Sequence, residues 1–230
     1  MIKKKPLVFH PVKLLIEPLT KRFRRHRYQF FLAAIKDLPR PLTILDIGGT
    51  EAYWNLVGLD QKDIRIILLN LEKVPVQNST IFCSIAGTAV DLSQWSDHSI
   101  HLVFSNSVIE HLFTWEHQQR MAKEVQRVGQ SFFIQTPNYY FPIEPHWLFP
   151  FFQFLPRGVR ILLTRLASWG HMPRLTDVRE ASKLVDEVRL LSPAEMRTLF
   201  PRAALYKERW CGLIKSVSAF YIAGAAKNNK

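Results

Sequence analysis

An acidic residue and a pair of glycines stand together near the start of the chain. Asp46 follows an apolar run and precedes Gly48 and Gly49 in the segment Leu42–Trp54, LTILDIGGTEAYW. The apolar run suits a buried parallel strand, and the glycines let the backbone turn sharply and approach a ligand because no Cβ stands in the way. Asp46 lies where the strand ends, so it either orients the glycine loop or accepts a hydrogen bond from a ligand. The segment predicts a strand, turn and helix of the kind that builds a nucleotide pocket.

A second strand is predicted over Ile64–Leu71, and it ends in the polar residues Asn70 and Glu72. An acidic residue at the end of the second strand of such a unit meets a ribose diol. A carboxylate suits this position because it can accept a hydrogen bond from each of the two hydroxyls. The alternative is that Asn70 and Glu72 only begin a polar loop before Pro75.

A third block, Gly87–His111, carries a resemblance to a known family. The block is similar to class I S-adenosylmethionine-dependent methyltransferases, above all the small-molecule group called methyltransferase type 11. That family has Gly-Asp-Ala-x-x-Leu-Pro-Phe before an Asp-(Asn)-Ser-Phe-Asp strand and a Glu-His pair. The residues that match are Gly87, Ala89, Asp91, Leu92, Asp97, Ser99, Leu102, Val103, Phe104, Glu110 and His111. The resemblance runs from about Leu42 to Pro137, with a family-like ending near the C-terminus.

The resemblance implies an α/β chain with the Rossmann-like class I methyltransferase fold. This fold is a mostly parallel, seven-stranded sheet, here with an aromatic and proline-rich insert after strand five. The implied cofactor is S-adenosyl-L-methionine. The predicted cofactor contacts are Asp46, Gly48, Gly49, Thr50, Asn70, Glu72, Thr88, Ala89 and Asn106.

The glycine loop departs from the family pattern Asp-x-Gly-x-Gly-x-Gly. Thr50 and Ala52 fill two of the glycine positions, and we expect Ala52 to crowd a tight turn. Thr88 replaces the aspartate that accepts from the adenine amino group, and His101 replaces the aspartate on strand four. The Gly-Gly-Thr form resembles that of a bacterial subgroup which also carries the run found here at Gln135–His146. These changes leave either a distinct subgroup or a degenerate cofactor site.

The insert, at about residues 138–190, differs in composition from the rest of the chain. Its first part, Tyr139–Trp169, holds nine aromatic residues, and four prolines there exclude one long helix. Ligands of parallel sheets sit beyond the carboxyl ends of the strands, so we expect the insert over the transferable methyl group. Most of these rings are expected to form a satellite core. Glu144 and His146 are predicted as catalytic groups, and the predicted substrate contacts are Tyr139, Tyr140 and His111.

Composition is typical of one globular domain. The chain has 230 residues, 47% of them hydrophobic and 22% charged. Its two cysteines, Cys83 and Cys211, both fall in apolar strand candidates, which favours a reducing compartment over a disulfide scaffold. No signal peptide is expected from the sequence, and the most apolar run, Trp147–Pro156, is too short to cross a membrane. We therefore expect a cytoplasmic protein.

The positive charge is concentrated at the N-terminus. Eleven of the 31 Lys and Arg residues and only two acidic residues fall within residues 1–40, which therefore carry +9 of the net +12. We expect residues 1–40 to form a basic amphipathic helical segment and residues 41–230 the methyltransferase domain. The segment is either a solvated arm, a lid over the cofactor pocket, or a helix lying on anionic lipid at the inner membrane face. Residues suited to lipid contact include Phe23, Phe30, Phe31, Leu32, Arg22, Arg24, Arg25 and Arg27.

Two functions of different classes follow. The first is S-adenosylmethionine-dependent methyl transfer to a small molecule, with a saccharide or a lipid-linked glycan precursor as the leading acceptor. The second is a non-catalytic accessory protein of the same fold, which binds cofactor or a partner at a membrane surface. No specific nucleic acid is expected, since the chain lacks a recognisable reading motif. No metal is expected either, because Ser107 stands where some quinone methyltransferases carry the first glutamate of a metal site.

Overall fold

The structure is a computed structural model that describes residues 11–59 and 62–224, with side chains from Arg22 onward. Its elements group into two compact units: Met1–His26 with Phe141–Asp186 (unit 1), and Arg27–Tyr140 with Glu187–Lys230 (unit 2). The helices are α1 Pro11–Ile35, α2 Glu51–Val57, α3 Trp115–Val128, α4 Arg157–Leu166, α5 Val178–Asp186 and α6 Pro193–Leu199. The strands are β1 Leu42–Ile47, β2 Ile64–Asn70, β3 Phe82–Ala86, β4 Ile100–Asn106, β5 Gly129–Pro137, β6 Ile143–Glu144, β7 Phe149–Pro150, β8 Ala204–Trp210 and β9 Leu213–Tyr221.

Unit 2 is built on one seven-stranded sheet. The strand order is β3-β2-β1-β4-β5-β9-β8, in which β1 to β5 run parallel and β9 lies antiparallel between β5 and β8. Parallel strands are buried on both faces, and the fully buried Ile44, Leu102 and Phe133 on β1, β4 and β5 follow this rule. The sheet confirms the prediction of a mostly parallel, seven-stranded α/β architecture.

The second half of α1 packs in the core of unit 2. Phe31 is 1% exposed, and its ring lies 4.9 Å from that of Phe104 and 5.1 Å from that of Phe133. Phe30 stacks on Tyr206 with 4.0 Å between ring centroids. The interpretation of Phe30 and Phe31 as lipid-facing residues is therefore wrong, because α1 uses these rings to cover the sheet.

Unit 1 holds the insert. Trp147 is its central side chain: the ring stacks on Phe152 at 4.4 Å and its Nε1 donates to Thr164 Oγ1 at 3.1 Å. Because Thr164 lies on α4, this bond ties the helix to the two-stranded ladder of β6 and β7. The buried rings of Trp147 and Phe152 form a local core, whereas Phe151 and Phe154 are exposed.

The predicted second strand, Ile64–Leu71, agrees with β2 to within one residue. One assignment is wrong: Cys211 lies in the exposed turn between β8 and β9, with a φ of 48°, rather than within a strand. Among the described helices, each is too short or too polar to cross a bilayer. The basic residues Lys3, Lys4 and Lys5 lie outside the described residues.

Candidate functional site

The turn after β1 has room only for glycine. Gly48 has a φ of +78°, its N–H donates to the Leu69 carbonyl at 2.8 Å, and a Cβ there would lie 2.4 Å from Val108 Cγ2. A Cβ on Gly49 would lie 1.5 Å from Asp46 Oδ2. Both positions therefore exclude larger residues, since such distances are shorter than any van der Waals contact. The turn lies at the carboxyl edge of the sheet, and Gly48 is exposed.

Asp46 supports this turn from inside. Its side chain is buried, and Oδ2 accepts from Trp54 Nε1 at 2.7 Å. Burial raises the pKa of Asp46 to about 7, and the hydrogen bond from Trp54 offsets only part of this rise. The geometry favours the predicted role of orienting the glycine loop over that of contacting a ligand.

The two replaced glycines of the loop fall at the start of a helix. Thr50 is the N-cap of α2, and its hydroxyl accepts from the Tyr53 N–H at 3.3 Å. Ala52 lies in the first turn of α2 and is exposed. The expectation that Ala52 crowds a tight turn is wrong, because alanine is the residue that helices accommodate best.

Asn70 and Glu72 differ in their surroundings. Asn70 Nδ2 donates to the Gly49 carbonyl at 3.0 Å, so its side chain holds the glycine turn. Glu72 lies two residues beyond β2 and is exposed. Of the two polar groups predicted to meet a ribose, Glu72 is thus the one that faces solvent.

Thr88 and Ala89 follow β3 at the same edge. The Thr88 hydroxyl accepts from the Val90 N–H at 3.4 Å, and its backbone forms a bridge with Asp91. Ala89 is buried. The adenine contact at Thr88 stays a prediction, and the hydroxyl that would make it already serves a local turn.

Asn106, at the end of β4, has a partner that the sequence did not reveal. Its Oδ1 accepts from Arg27 Nη1 at 2.6 Å, and Arg27 also forms a buried ion pair with Glu208 at 2.8 Å. Glu208 in turn accepts from the Ser216 hydroxyl. Arg27 was interpreted as a lipid-facing cation, and that interpretation is wrong because its side chain is only 7% exposed. No local pattern could have found this contact, since 181 residues separate Arg27 and Glu208.

His101, which stands where the family has an aspartate on strand four, bonds to the neighbouring strand. Its Nδ1 accepts from the Thr43 N–H at 2.9 Å. Because Nδ1 accepts here, the ring nitrogen that can donate is Nε2. The replacement therefore has a structural role at β1.

Unit 1 contains a tightly bonded pair, Glu144 and His146. Glu144 Oε1 lies 2.6 Å from His146 Nδ1, while Oε2 accepts from the N–H groups of His146 and Trp147, both at 2.7 Å. Glu144 is 1% exposed, and the His146 side chain is 15% exposed. A buried carboxylate on Nδ1 fixes the orientation of an imidazole, which is what a general base needs.

The predicted substrate residues vary in exposure. Tyr140 is 63% exposed and its ring meets that of Tyr139 edge to face, with 5.2 Å between centroids. His111 is half-buried and ends a short 3-10 helix, Ile109–His111. The preceding Glu110 is buried and accepts from Thr136 Oγ1 at 3.0 Å. Substrate contact at Tyr139, Tyr140 and His111 stays a prediction.

Solved structures that resemble this chain with TM-scores of at least 0.50 include the following three. The chain is similar to the methyltransferase domain of bacterial CtHen1-C, at 13% identity over 88% of this chain and 100% of that one, with a TM-score of 0.52. It is similar to a possible exported protein from Bordetella parapertussis at 12% identity over 87% and 68%, with a TM-score of 0.51. A zinc-dependent alcohol dehydrogenase from Rhodobacter sphaeroides matches at 10% identity over 84% and 89%, with a TM-score of 0.50.

Further comparisons found either no match or a match to only part of a longer protein. No family model matches the chain, and no curated protein does. The chain spans 45%, 58% and 64% of the length of three solved methyltransferases that it matches at TM-scores of 0.40, 0.43 and 0.47.

The sheet order separates the methyltransferase likeness from the dehydrogenase likeness. A dinucleotide-binding dehydrogenase sheet has the strand order 3-2-1-4-5-6. Here the last strand, β9, is inserted antiparallel between β5 and β8. With the likeness to the methyltransferase domain, this order shows that the chain has the fold of the class I S-adenosylmethionine-dependent methyltransferases.

Proposed function

We propose that the chain binds S-adenosylmethionine at the carboxyl edge of β1, β2 and β4 and transfers its methyl group to a small molecule. The observation that carries the proposal is the exposed Gly48 turn after β1, with the exposed carboxylate of Glu72 after the neighbouring strand. Backbone groups can approach a ligand closely at Gly48, and the carboxylate can accept from both hydroxyls of a ribose. These groups fit an adenosyl ligand.

Methyl transfer mainly requires that the protein align the acceptor with the cofactor. The sulfonium cofactor supplies an activated methyl group, and positioning of the nucleophile provides much of the rate. A hydroxyl acceptor must also lose a proton. We propose His146, oriented by Glu144, as the group that takes it.

We propose a saccharide or a lipid-linked glycan precursor as the acceptor class. The aromatic residues of the insert support this choice, because aromatic walls suit both sugar faces and apolar chains. The basic N-terminal segment supports peripheral contact with an anionic membrane. Arg22, Arg24 and Arg25 are exposed on α1 and would be attracted to such a surface.

A second candidate is a non-catalytic accessory protein of the same fold. Two polar side chains lie at the carboxyl edge of the sheet, where the cofactor is proposed to bind, and both already have partners within the protein. These partners favour the second candidate. Asn70 bonds to Gly49, and Asn106 bonds to Arg27. An accessory protein would bind cofactor or a partner without turnover.

Calorimetric titration tests the cofactor proposal. S-adenosylmethionine and S-adenosylhomocysteine should both bind, and Glu72→Ala should weaken binding by about 1.5 to 3 kcal/mol, the usual contribution of hydrogen bonds to a charged group. Asp37→Ala is the matched control, because Asp37 is an exposed carboxylate that precedes the amino end of β1. The cofactor is proposed to bind at the carboxyl end of that strand. An absence of heat with both ligands at millimolar concentration would overturn the proposal. Mass spectrometry of the purified protein would identify a co-purified cofactor or acceptor.

A further inference from the structure

Helix α4 exposes three apolar side chains to solvent along one of its faces. Val159, Leu162 and Leu166 recur at the spacing of one helix face and are 40%, 51% and 60% exposed. Thr164, on the opposite face, is 1% exposed and bonds to Trp147. A helix on the surface of a globular domain normally shows the opposite pattern, with its polar side outward. We call the three apolar residues the outer face of α4.

The segment before α4 adds further exposed apolar surface. Phe151 and Phe154 are 56% and 44% exposed, and their ring centroids lie 6.4 Å apart. Single exposed apolar residues are normal, but several in two consecutive elements mark an interaction site. This part of unit 1 therefore has exposed apolar surface that a partner would bury.

The charge of α4 indicates which partner covers its outer face. Helix α4 contains three arginines, Arg157, Arg160 and Arg165, and no acidic residue. The segment Phe141–Asp186 around it contains six Lys and Arg against four Asp and Glu, so it carries +2. An apolar face on a helix with three arginines and no acidic residue complements an anionic lipid bilayer, whose interface offers acyl chains and negative headgroups together. Arg157 pairs with Asp186 at 2.5 Å, and Arg165 Nε donates to the Thr176 carbonyl at 3.1 Å, so the remaining N–H groups of these arginines are the ones that can reach the headgroups.

We infer that the outer face of α4 is a docking surface for anionic membrane lipid. The helix lies in the plane of the interface with Val159, Leu162 and Leu166 towards the acyl chains. Phe151 and Phe154 supply additional apolar contact. The inference shares its partner class with the membrane contact proposed for the N-terminal segment, but it rests on different residues and holds for a catalytic or an accessory protein.

Vesicle flotation with the full chain tests the inference. The wild-type protein should float with vesicles of phosphatidylglycerol and phosphatidylcholine, and float less with phosphatidylcholine alone. Leu162→Ser/Leu166→Ser should weaken binding to the anionic vesicles about tenfold or more, because two leucine side chains no longer leave water. The matched control is Leu56→Ser/Leu213→Ser, which changes two exposed leucines of unit 2 and should bind as the wild type does. Equal binding by the α4 variant and the wild type, or no binding by the wild type, would overturn the inference.

Three further variants complete the test. Leu162→Glu should abolish binding to anionic vesicles, whereas Leu162→Lys should retain it, and this pair remains informative if the double serine variant proves unfolded in a thermal melt. Arg22→Gln/Arg24→Gln/Arg25→Gln examines the N-terminal segment separately, so failure of either membrane proposal can be recognised. Sedimentation velocity without vesicles tests whether a second copy of the chain, rather than lipid, covers the outer face of α4. A dimer that Leu162→Ser/Leu166→Ser converts to monomer would assign the face to a second copy of the chain and overturn the lipid assignment.

Discussion

The guanidinium of Arg27 and the carboxylate of Glu208 form a buried ion pair, with Nη2 and Oε2 2.8 Å apart. The pair joins the middle of α1 to β8, and Arg27 also donates to Asn106 at the end of β4. A buried pair of this kind is costly to break on one side, because the remaining charge is left without its partner. The contact therefore holds α1 against the edge of the sheet where the cofactor is proposed to bind.

We predict that Arg27→Met lowers the free energy of unfolding by about 3 kcal/mol or more. The double variant Arg27→Met/Glu208→Met should lose less than the sum of the two single variants, since no charge is then buried alone. Urea unfolding measures all three. Arg25→Met, at an exposed position on the same helix, is the control and should change stability little. Strictly additive losses would contradict the coupling.

Asp46 should make stability depend on pH. Its pKa in the folded protein, about 7, lies above the ordinary value of 3.8, so between these values the folded state keeps a proton that the unfolded state has lost. Stability therefore falls as pH rises from about 4 to about 7, by about 4 kcal/mol at most, at 1.4 kcal/mol per pKa unit.

Asp46→Asn should flatten this pH dependence, because an amide does not titrate. Its free energy of unfolding should gain on that of the wild type as pH rises through the same window. Urea unfolding at four pH values between 4.5 and 7.5 measures the difference, and Asp37→Asn serves as the exposed control. Wild-type and Asp46→Asn curves that stay parallel would show that Asp46 does not titrate there.

Gly49 should not tolerate even a methyl group. Gly49→Ala places a Cβ against the buried Asp46 carboxylate, and such overpacking costs about 1 to 3 kcal/mol. Gly158→Ala is a matched control, because a Cβ at that position meets nothing within 4 Å. Thermal melts compare the two variants, and titration with S-adenosylhomocysteine should show weaker binding for Gly49→Ala alone. Equal melting temperatures would refute the packing argument.

His146 is predicted to act in proton transfer. His146→Ala should keep cofactor affinity and lower turnover by about 100-fold or more, the usual scale for a lost general base. Glu144→Gln should give a smaller loss, since it removes the charge that orients the ring. Turnover is followed as formation of S-adenosylhomocysteine in the presence of a deproteinised small-molecule extract.

A purely structural His146 has a different signature. The variant would then melt at a lower temperature and keep its turnover per folded molecule. Measuring melting temperature and turnover together separates the two roles. His26→Ala, at an exposed position of α1, controls for the loss of any histidine.

Sequence patterns found the strands and the loop because these depend on near neighbours. The apolar run before Asp46 predicted β1, and the glycine pair predicted the turn that the structure contains. Charged and apolar residues alternate with the helical period over Trp115–Val128, so the pattern of α3 is visible within a single window of sequence. Ala52 was misjudged, since the family pattern does not tell where the turn ends and the helix begins.

The sequence by itself therefore determined the order of strands and helices, the glycine turn and the closeness of Glu144 to His146 along the chain. Tertiary structure alone decided which side chains meet across the sheet. In the folded protein Arg27 is the buried partner of Glu208 rather than a surface cation, and the Asn70 side chain donates to the Gly49 carbonyl. Tertiary structure also left the apolar side of α4 facing outward. Composition and periodicity describe the faces of an element, but which face is buried depends on the elements packed against it.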